Sequence, residues 1–397
     1  MHVVFLSPTG SLGGAERCLV DNVASLLATG HPDLRITVLV FGDGPLVPTL
    51  RAECPQVDVR ARPLPPALAR FGEAAGPTAL LGTALRAAGS VARFLFELRR
   101  ELGALEPSVV HCNGIKAHLL GSMASPRGAS VVWHLHDFIG SRRLARRLLA
   151  AARWRVHGMV ANSDAVAQDA RRAIPGVPSE VVYNAIDIAA FHPGPRDDEL
   201  FVGVPGDAVR VGLIGTYARW KGHELFLRAA ARLASRYGPS EAAFVIVGGP
   251  IYATSGSQYS DEELRAVARS LGVAERITFV PFQESPERTF RSLDVIVHAS
   301  TRPEPFGRVI VEGMASGRAV VVSAEGGAAE LFEEGVDALG FVPRDVDSLA
   351  DTVARLVDDP ELRRRLGERG RETAVGRFGR ARLGPELLRA YARFEGR

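Results

Sequence analysis

Short runs of apolar, largely β-branched residues alternate with stretches of helical periodicity from the start of the chain to about residue 190. Six of these runs have the length and composition of buried strands: His2 to Leu6, Arg35 to Phe41, Val109 to Cys112, Val131 to Leu135, Gly158 to Ala161 and Val181 to Tyr183. Amphipathic or Ala/Leu-rich segments lie between most of them. The pattern predicts an α/β domain with a parallel sheet.

A second series of the same kind follows a segment rich in Pro, Gly and Asp, His192 to Asp207, which has the composition of an interdomain connection. Its predicted strands are Val209 to Ile214, Ala243 to Val247, Ile277 to Val280, Val295 to His298, Ala319 to Val322 and Leu339 to Val342. We therefore predict two facing doubly wound domains, 1–190 and 191–379, with a cleft between them. A last helical pattern within 380–397 is expected to pack back on the first domain.

Composition is typical of a soluble protein with two independent cores. The chain has 397 residues, of which 46% are hydrophobic and 23% charged. No apolar run approaches the roughly 18 residues of a membrane span, and the first ten residues lack the features of a signal peptide, so we expect a cytoplasmic protein. Cys18, Cys54 and Cys112 are scattered, and we interpret them as buried apolar residues rather than disulfide or zinc ligands.

Charge gives no indication of a nucleic-acid partner, because the formal net charge is only +3. Of the 48 Lys and Arg residues, only Lys116 and Lys221 are lysines. Either these positions require the compact charge of an ammonium group, which arginine cannot replace, or the two lysines are there by chance. The segment 142–155 combines six arginines with Leu and Trp. A solvated helix face is the preferred interpretation, and peripheral contact with the anionic inner face of a membrane is the alternative.

In each domain a glycine-containing loop follows the first predicted strand, at the end of the sheet where doubly wound folds bind ligands. Ser7 to Arg17 leads into a helix whose amides favour an anion, although a tight turn alone also explains its glycines. After the second strand only Asp43 is available to bind a ribose, and it is loosely placed, which disfavours a nicotinamide dehydrogenase. Gly215 to Gly222 places Arg219 and Lys221 at a helix start, where an anionic partner or plain solvation would accommodate them.

The most informative segment is the loop and helix that follow the strand Val295 to His298. Pro303 and Pro305 hold Glu304 in an extended loop, and Glu312 lies in the helix that follows Gly307. One carboxylate can accept hydrogen bonds from hexose hydroxyls and the other from ribose hydroxyls, with phosphates between them. A helix-stabilising acid plus one exposed glutamate is the alternative, but it does not explain the Pro-Glu-Pro-Phe-Gly sequence.

These residues resemble the E-x7-E signature of glycosyltransferase family 4, whose members have the GT-B fold of two facing Rossmann-like domains. The resemblance extends to Gly13 to Arg17, His134 to Asp137, Ala161 to Ser163, Tyr183 to Asp187, Gly215 to Gly222 and Glu325 to Glu330. It implies retaining transfer of a hexose from a UDP or GDP sugar to a saccharide, lipid-linked or small-molecule acceptor. The residues it assigns to donor binding or catalysis are Gly13, Gly14, His136, Gly215, Thr216, Lys221, Glu304, Phe306, Gly307, Arg308, Val309 and Glu312.

Within this set, the resemblance assigns the diphosphate to Lys221, the hexose to Glu304 and the ribose to Glu312. Members of the family commonly carry an arginine where Thr216 stands, so we predict that Arg219 supplies that guanidinium. The resemblance implies that the leaving diphosphate itself takes the acceptor proton, so no protein nucleophile is expected. We also expect no metal and no cofactor.

Other candidate ligands are expected to have structural roles. Asp345 or Asp347 is predicted to cap the helix Ser348 to Val357 rather than to bind a metal. His134 is expected to point to the opposite face from His136, which we assign to the sugar site. Two alternatives to transfer stay open, a silent nucleotide-sugar-binding or scaffold subunit and a GT-B sugar-nucleotide epimerase.

Overall fold

The computed structural model describes residues 1–69, 77–250, 256–283 and 285–395. The chain divides into two compact units, an N-terminal unit of Met1–Ala185 with Arg380–Arg397 and a C-terminal unit of Ile186–Gly379. Residues 396 and 397 of the predicted C-terminal segment lie outside the described residues. The segment 192–207, interpreted above as an interdomain connection, lies in the C-terminal unit, where Asp197 accepts a hydrogen bond from Arg288 and Phe201 is buried.

The N-terminal unit is built on a parallel sheet with the order β3-β2-β1-β4-β5-β6-β7. Its strands are β1 His2–Ser7, β2 Arg35–Val40, β3 Asp58–Ala61, β4 Val109–Asn113, β5 Ser130–Leu135, β6 Gly158–Ala161 and β7 Ser179–Val181. The helices are α1 Gly14–Ala28, α2 Leu46–Glu53, α3 Pro66–Ala69, α4 Pro77–Leu105, α5 Ile115–Ala124, α6 Arg143–Ala152 and α7 Asp164–Ala173. Helices on both faces explain why the central strands are continuously apolar.

The C-terminal unit repeats this architecture with the parallel order β10-β9-β8-β11-β12-β13. Its strands are β8 Val209–Ile214, β9 Ala242–Gly248, β10 Ile277–Pro281, β11 Val295–His298, β12 Ala319–Ser323 and β13 Leu339–Phe341. Its helices are α8 His223–Ala234, α9 Asp261–Ser270, α10 Pro286–Ser292, α11 Arg308–Ala315, α12 Val346–Asp358 and α13 Pro360–Phe378. Both sheets have the strand order of doubly wound nucleotide-binding folds, so the predicted fold class is confirmed.

The last helix of the chain, α14 Leu383–Glu395, packs in the N-terminal unit against α1. Gly384 lies so close to α1 that a Cβ atom there would come within 2.4 Å of the Ser25 carbonyl oxygen, and its amide donates to Ser25 Oγ at 2.8 Å. The Phe394 ring covers Gly158 on β6. The α1 backbone leaves no room for a side chain at Gly384, and the Phe394 ring occupies the place of a side chain at Gly158.

The cores also account for the cysteines. Cys18, Cys54 and Cys112 are free and buried, as predicted. Burial raises the pKa of the Cys54 thiol to about 11, which keeps that sulfur protonated and unreactive at neutral pH. Among the described residues, no helix has both the length and the apolar character that crossing a membrane requires.

Candidate functional site

The C-terminal unit brings two loops together at the topological switch point of its sheet. β8 and β11 are neighbours in the sheet, but the chain leaves them toward different sides, because β9 lies next to β8 and β12 next to β11. The loop after β8 carries Lys221, and the loop after β11 carries Glu304. Ligands bind at such a point in open α/β sheets, which makes these two loops the place to look for chemistry.

Backbone packing fixes the two loops against each other. Gly222 has a φ of +81°, and a Cβ atom there would lie 1.9 Å from the Ala299 carbonyl oxygen. The amide of Thr301 donates to the Trp220 carbonyl at 2.8 Å. Only glycine combines the left-handed conformation with this close approach, so Gly222 allows Lys221 to reach the loop after β11.

Lys221 and Glu304 form an ion pair at the centre of this arrangement. Lys221 Nζ donates to Glu304 Oε1 at 3.0 Å and to Oε2 at 2.9 Å, and it lies 4.1 Å from the centroid of the Trp220 ring. The Glu304 side chain is 7% exposed and that of Lys221 is 26% exposed. The structure thus brings together the two residues that the sequence analysis assigned to the hexose and the diphosphate.

Two residues that the sequence analysis missed hold the Glu304 carboxylate. Ser300 Oγ donates to Glu304 Oε2 at 2.6 Å, and His298 Nε2 lies 3.1 Å from the same oxygen. Both side chains are buried. The available signal was a pair of polar residues at the end of an apolar strand, directly before the Pro-Glu-Pro loop, because a buried strand seldom ends in polar groups without a partner for them.

The electrostatics of this cluster favour an ionised Glu304. Burial raises the pKa of its carboxyl, but the Lys221 ammonium and the hydrogen bonds from His298 and Ser300 oppose this, and the net pKa is well below the ordinary value of 4.5. Oxygen Oε2 accepts from three groups, whereas Oε1 accepts only from Lys221 among the described contacts. Oε1 therefore keeps a lone pair with which it can accept another hydrogen bond.

The backbone of Glu304 is held by the later Glu-Gly-Gly segment. Its amide donates to the Glu325 carbonyl at 3.2 Å, and its carbonyl accepts from the Gly327 amide at 2.7 Å. Gly326 has a φ of +72°, and a Cβ atom there would lie 2.6 Å from the Glu304 carbonyl oxygen. The glycine-rich segment at 325–330 thus has a definite structural task, which is to fix the loop that carries Glu304.

The helix α11 carries the second glutamate. Glu312 accepts from Arg308 Nε at 3.1 Å, one turn earlier on the helix, and both side chains are mostly buried. Gly307 is the N-cap residue directly before α11 and has a φ of +99°. Phe306 is buried, with its ring 6.0 Å from that of Phe378. Phe306 therefore anchors the loop through its side chain, which leaves only its backbone for the predicted contact with a donor.

Arg219 lies in the same short helical turn as Lys221 but has different partners. Its guanidinium donates to Glu263 Oε1 at 2.7 Å and to the Gly256 carbonyl at 3.1 Å, and it stacks 4.3 Å from the centroid of Tyr259. Residues 215 and 216 immediately follow β8, and the Gly215 carbonyl lies against Gly248. The structure thus joins Arg219 to α9 rather than to the Lys221 and Glu304 pair.

The prediction that His134 and His136 point to opposite faces is wrong. Their ring centroids are 4.2 Å apart, because residues two apart on an extended chain share a face. Burial lowers the pKa of His136 to about 3, with a further contribution from His118, so the imidazole is neutral at neutral pH. His136 Nε2 lies 2.6 Å from Asn113 Oδ1, while Asn113 Nδ2 donates to the Ala15 carbonyl. This pattern makes Nε2 of His136 the protonated nitrogen.

In the first glycine-rich loop, Ser7 to Arg17, one backbone amide is already hydrogen-bonded within the loop. The Gly13 amide donates to Glu16 Oε2 at 3.2 Å at the start of α1. Burial raises the pKa of the Glu16 carboxyl, although the hydrogen bonds from backbone amides oppose the shift. Gly10 packs against the backbone of Gly42 and Asp43. A close turn explains these features, so the predicted phosphate contact of Gly13 and Gly14 stays a prediction.

Two further expectations concern metal and membrane. Asp345 caps α12, where its side chain accepts from the amides of Asp347 and Ser348, as predicted. The described part of the chain contains no group of three or more His, Cys, Asp or Glu side chains that could hold a metal ion. In α6, Leu149 is buried, whereas Leu144 and the following Trp154 are exposed. Contact of this segment with a membrane stays a prediction.

Comparisons with known proteins agree with this geometry. Residues 12–190 match the family model described as Glycosyltransferase Family 4, and residues 201–373 match the model described as Glycosyl transferases group 1. The two models together account for most of the chain, which therefore belongs to this family of glycosyltransferases.

The relatives show which proteins the chain resembles. It is 33% identical over 182 residues to D-inositol 3-phosphate glycosyltransferase of Mycolicibacterium smegmatis, covering 45% of this chain and 40% of that protein. It is 30% identical over 195 residues to the lipopolysaccharide core biosynthesis glycosyltransferase LpsE of Rhizobium meliloti, covering 49% and 53%. The chain spans about half the length of the curated relatives it matches. The structure of Anabaena Alr3699/HepE with UDP-glucose has a TM-score of 0.81 and 26% identity, with 99% of both chains covered.

Proposed function

We propose that this chain is a retaining glycosyltransferase that moves a hexose from a UDP or GDP sugar to a saccharide, lipid-linked or small-molecule acceptor. The observation that carries the proposal is the pair of Lys221 and Glu304 at the switch point of a nucleotide-binding sheet. Family membership supports transfer as the reaction class, and a nucleotide sugar is the ligand whose charge and hydroxyl groups match this pair.

The proposed roles follow from the donor and acceptor capacity of each group. The Lys221 ammonium has three N–H donors, and two of them donate to the two carboxylate oxygens of Glu304. The third can therefore donate to a phosphate oxygen. Glu304 Oε1 accepts a hexose hydroxyl, and Glu312 accepts ribose hydroxyls. Positive charge beside the diphosphate stabilises it as it leaves, and the diphosphate takes the acceptor proton. Neither a protein nucleophile nor a metal ion has a part in this scheme.

A donor panel tests the proposal against its two alternatives. UDP-glucose, UDP-galactose, UDP-N-acetylglucosamine, GDP-mannose and GDP-fucose are compared by thermal shift, because a ligand that binds the native state raises its melting temperature. Proton NMR then follows the best donor. We expect slow release of the nucleoside diphosphate, with an anomeric product of unchanged configuration once an acceptor is present. Binding without turnover would indicate a scaffold subunit, and a changed sugar on an intact nucleotide would indicate an epimerase.

Arg219 is proposed to assist Lys221 at the diphosphate. Its Nε and Nη2 atoms donate to Gly256 and Glu263, and Arg219 lies in the same short helical turn as Lys221. We expect Arg219→Ala to lower the kcat of donor turnover about tenfold, the order of one charge-assisted hydrogen bond. The matched control is Glu263→Gln, which removes the same ion pair but keeps the guanidinium. Equal losses of kcat in both variants would show that Arg219 acts only by holding its own loop through the ion pair with Glu263.

A further inference from the structure

A cavity of about 560 Å³ in the C-terminal unit lies at the opposite edge of the sheet from Lys221 and Glu304. Two of its lining residues fix this position: Asp294 directly precedes β11, and Arg318 directly precedes β12. Both strands run parallel, so their amino ends meet at this edge and their carboxyl ends meet at the other. The cavity is therefore separate from the proposed donor site.

The carboxylates of this cavity are already paired. Three of them line it, and each has its own arginine: Asp294 with Arg196, Glu368 with Arg364 at 2.5 Å, and Glu372 with Arg369 at 2.7 Å. Asp294 also accepts from the backbone amide of Arg210 at 2.8 Å. The acidic groups of the lining thus have little capacity left for further cations.

Three other guanidinium groups line the cavity, and the hydrogen bonds described for them are to neutral backbone carbonyls. Arg318 donates to the carbonyls of residues 194 and 291, Arg363 to those of 356 and 357, and Arg371 to those of 188, 191 and 315. The Nε atom of Arg318 is buried without a hydrogen-bond partner. Burial lowers the pKa of all three groups. Carbonyls satisfy N–H donors but carry no net charge. Asp294 offsets part of the positive charge of Arg318 and Arg363, but it is also paired with Arg196.

We propose that this cavity binds a soluble small molecule that carries a phosphate group. Guanidinium forks match phosphate oxygens in charge and in geometry, and three of them face one concavity. The amino end of the 19-residue helix α13 lies in the same lining through Pro360, but the Asp359 side chain already caps it by accepting from the Leu362 amide, so the positive charge of the cavity comes from the guanidinium groups. The volume lies within the range of small-molecule sites.

Hydrogen–deuterium exchange of the intact chain with inorganic pyrophosphate, at constant ionic strength, tests the proposal. We expect slower amide exchange within 356–366, where α12 ends and α13 begins, independently of any protection at 219–223 in the donor site. Protection confined to 219–223, or no protection at all at millimolar pyrophosphate, would overturn the proposal. Because the exchange pattern locates the ligand in the unaltered protein, this test does not depend on a variant that folds.

Variants then test the charge argument. We expect Arg318→Gln to weaken pyrophosphate binding at 356–366 about tenfold or more, because a charged group that hydrogen-bonds the anion is lost. Arg228→Gln is the control: it removes an exposed, ion-paired arginine of α8 that does not line the cavity, and it should leave the affinity unchanged. Equal affinities in both variants, or equal losses, would show that Arg318 does not bind the anion.

Discussion

Replacing Lys221 with alanine is expected to lower the kcat of sugar transfer about 100- to 1,000-fold, or roughly 2–4 kcal/mol, the usual cost of one group that stabilises developing charge. The ammonium is the cation that the structure places beside Glu304 at the switch point. Its loss leaves the negative charge of the departing diphosphate with one stabilising partner fewer. The measurement is steady-state release of nucleoside diphosphate from the best donor of the panel.

Folding must be separated from catalysis in this variant. Removal of one partner from a buried ion pair also destabilises a protein, so the assay is run below the melting temperature found for each variant. The control is Arg228→Ala, which removes an exposed cation paired with Glu224 on the neighbouring helix α8. A Lys221→Ala enzyme that is folded and keeps the kcat of the Arg228→Ala control would remove Lys221 from the mechanism.

Replacing Glu304 with glutamine is expected to lower kcat/KM about 10- to 100-fold, in line with the loss of hydrogen bonds to a charged acceptor. An amide has the size of the carboxylate but accepts at one atom only, whereas Glu304 accepts from Lys221, His298 and Ser300 and is proposed to accept a hexose hydroxyl as well. Glu262→Gln, which changes an exposed, ion-paired glutamate, is the control.

The pH dependence of the wild type provides an independent check on Glu304. Because the pKa of its carboxyl lies well below 4.5, the group is ionised above that pH, and its contribution is lost only as the pH falls further. The kcat/KM profile should therefore show no loss due to Glu304 between pH 8 and pH 5. Retention of wild-type kcat/KM by Glu304→Gln across this range would contradict the assigned role.

The sequence pattern predicts most of the architecture because both sheets bury their strands. Eleven of the twelve predicted strands agree with the observed bounds to within one residue at each end. The exception is the edge strand β7, predicted at Val181 to Tyr183 and observed at Ser179–Val181. The strand β3 Asp58–Ala61 was not predicted, because it is an edge strand in which only Val59 is buried and it therefore lacks the apolar run of its neighbours. Edge strands rely on backbone pairing that composition does not reveal.

The candidate site was predictable only where its residues lie close together in the chain. The loop with Glu304 and the turn with Lys221 each have a recognisable composition, but their direct contact spans 83 positions and depends on the packing of Gly222 against Ala299. His298 and Ser300 were missed because a strand end was interpreted by its apolar pattern alone. The arginines at 318, 363 and 371 converge through three different elements, and such convergence needs coordinates.

The histidine error has a simple physical origin. A residue and its second neighbour share a face of an extended chain, so His134 and His136 had to be neighbours, as the 4.2 Å between their ring centroids shows. Their burial then makes the imidazoles neutral rather than cationic. Any role of His136 at a sugar is therefore that of a neutral hydrogen-bonding group.

The most direct test of the account is a crystal structure of the chain with the nucleotide sugar that stabilises it most. We expect a diphosphate oxygen within about 2.7–3.2 Å of Lys221 Nζ and a hexose hydroxyl within the same distance of Glu304 Oε1. A donor bound in the crystal with its diphosphate away from Lys221, or with its hexose away from Glu304, would contradict the account.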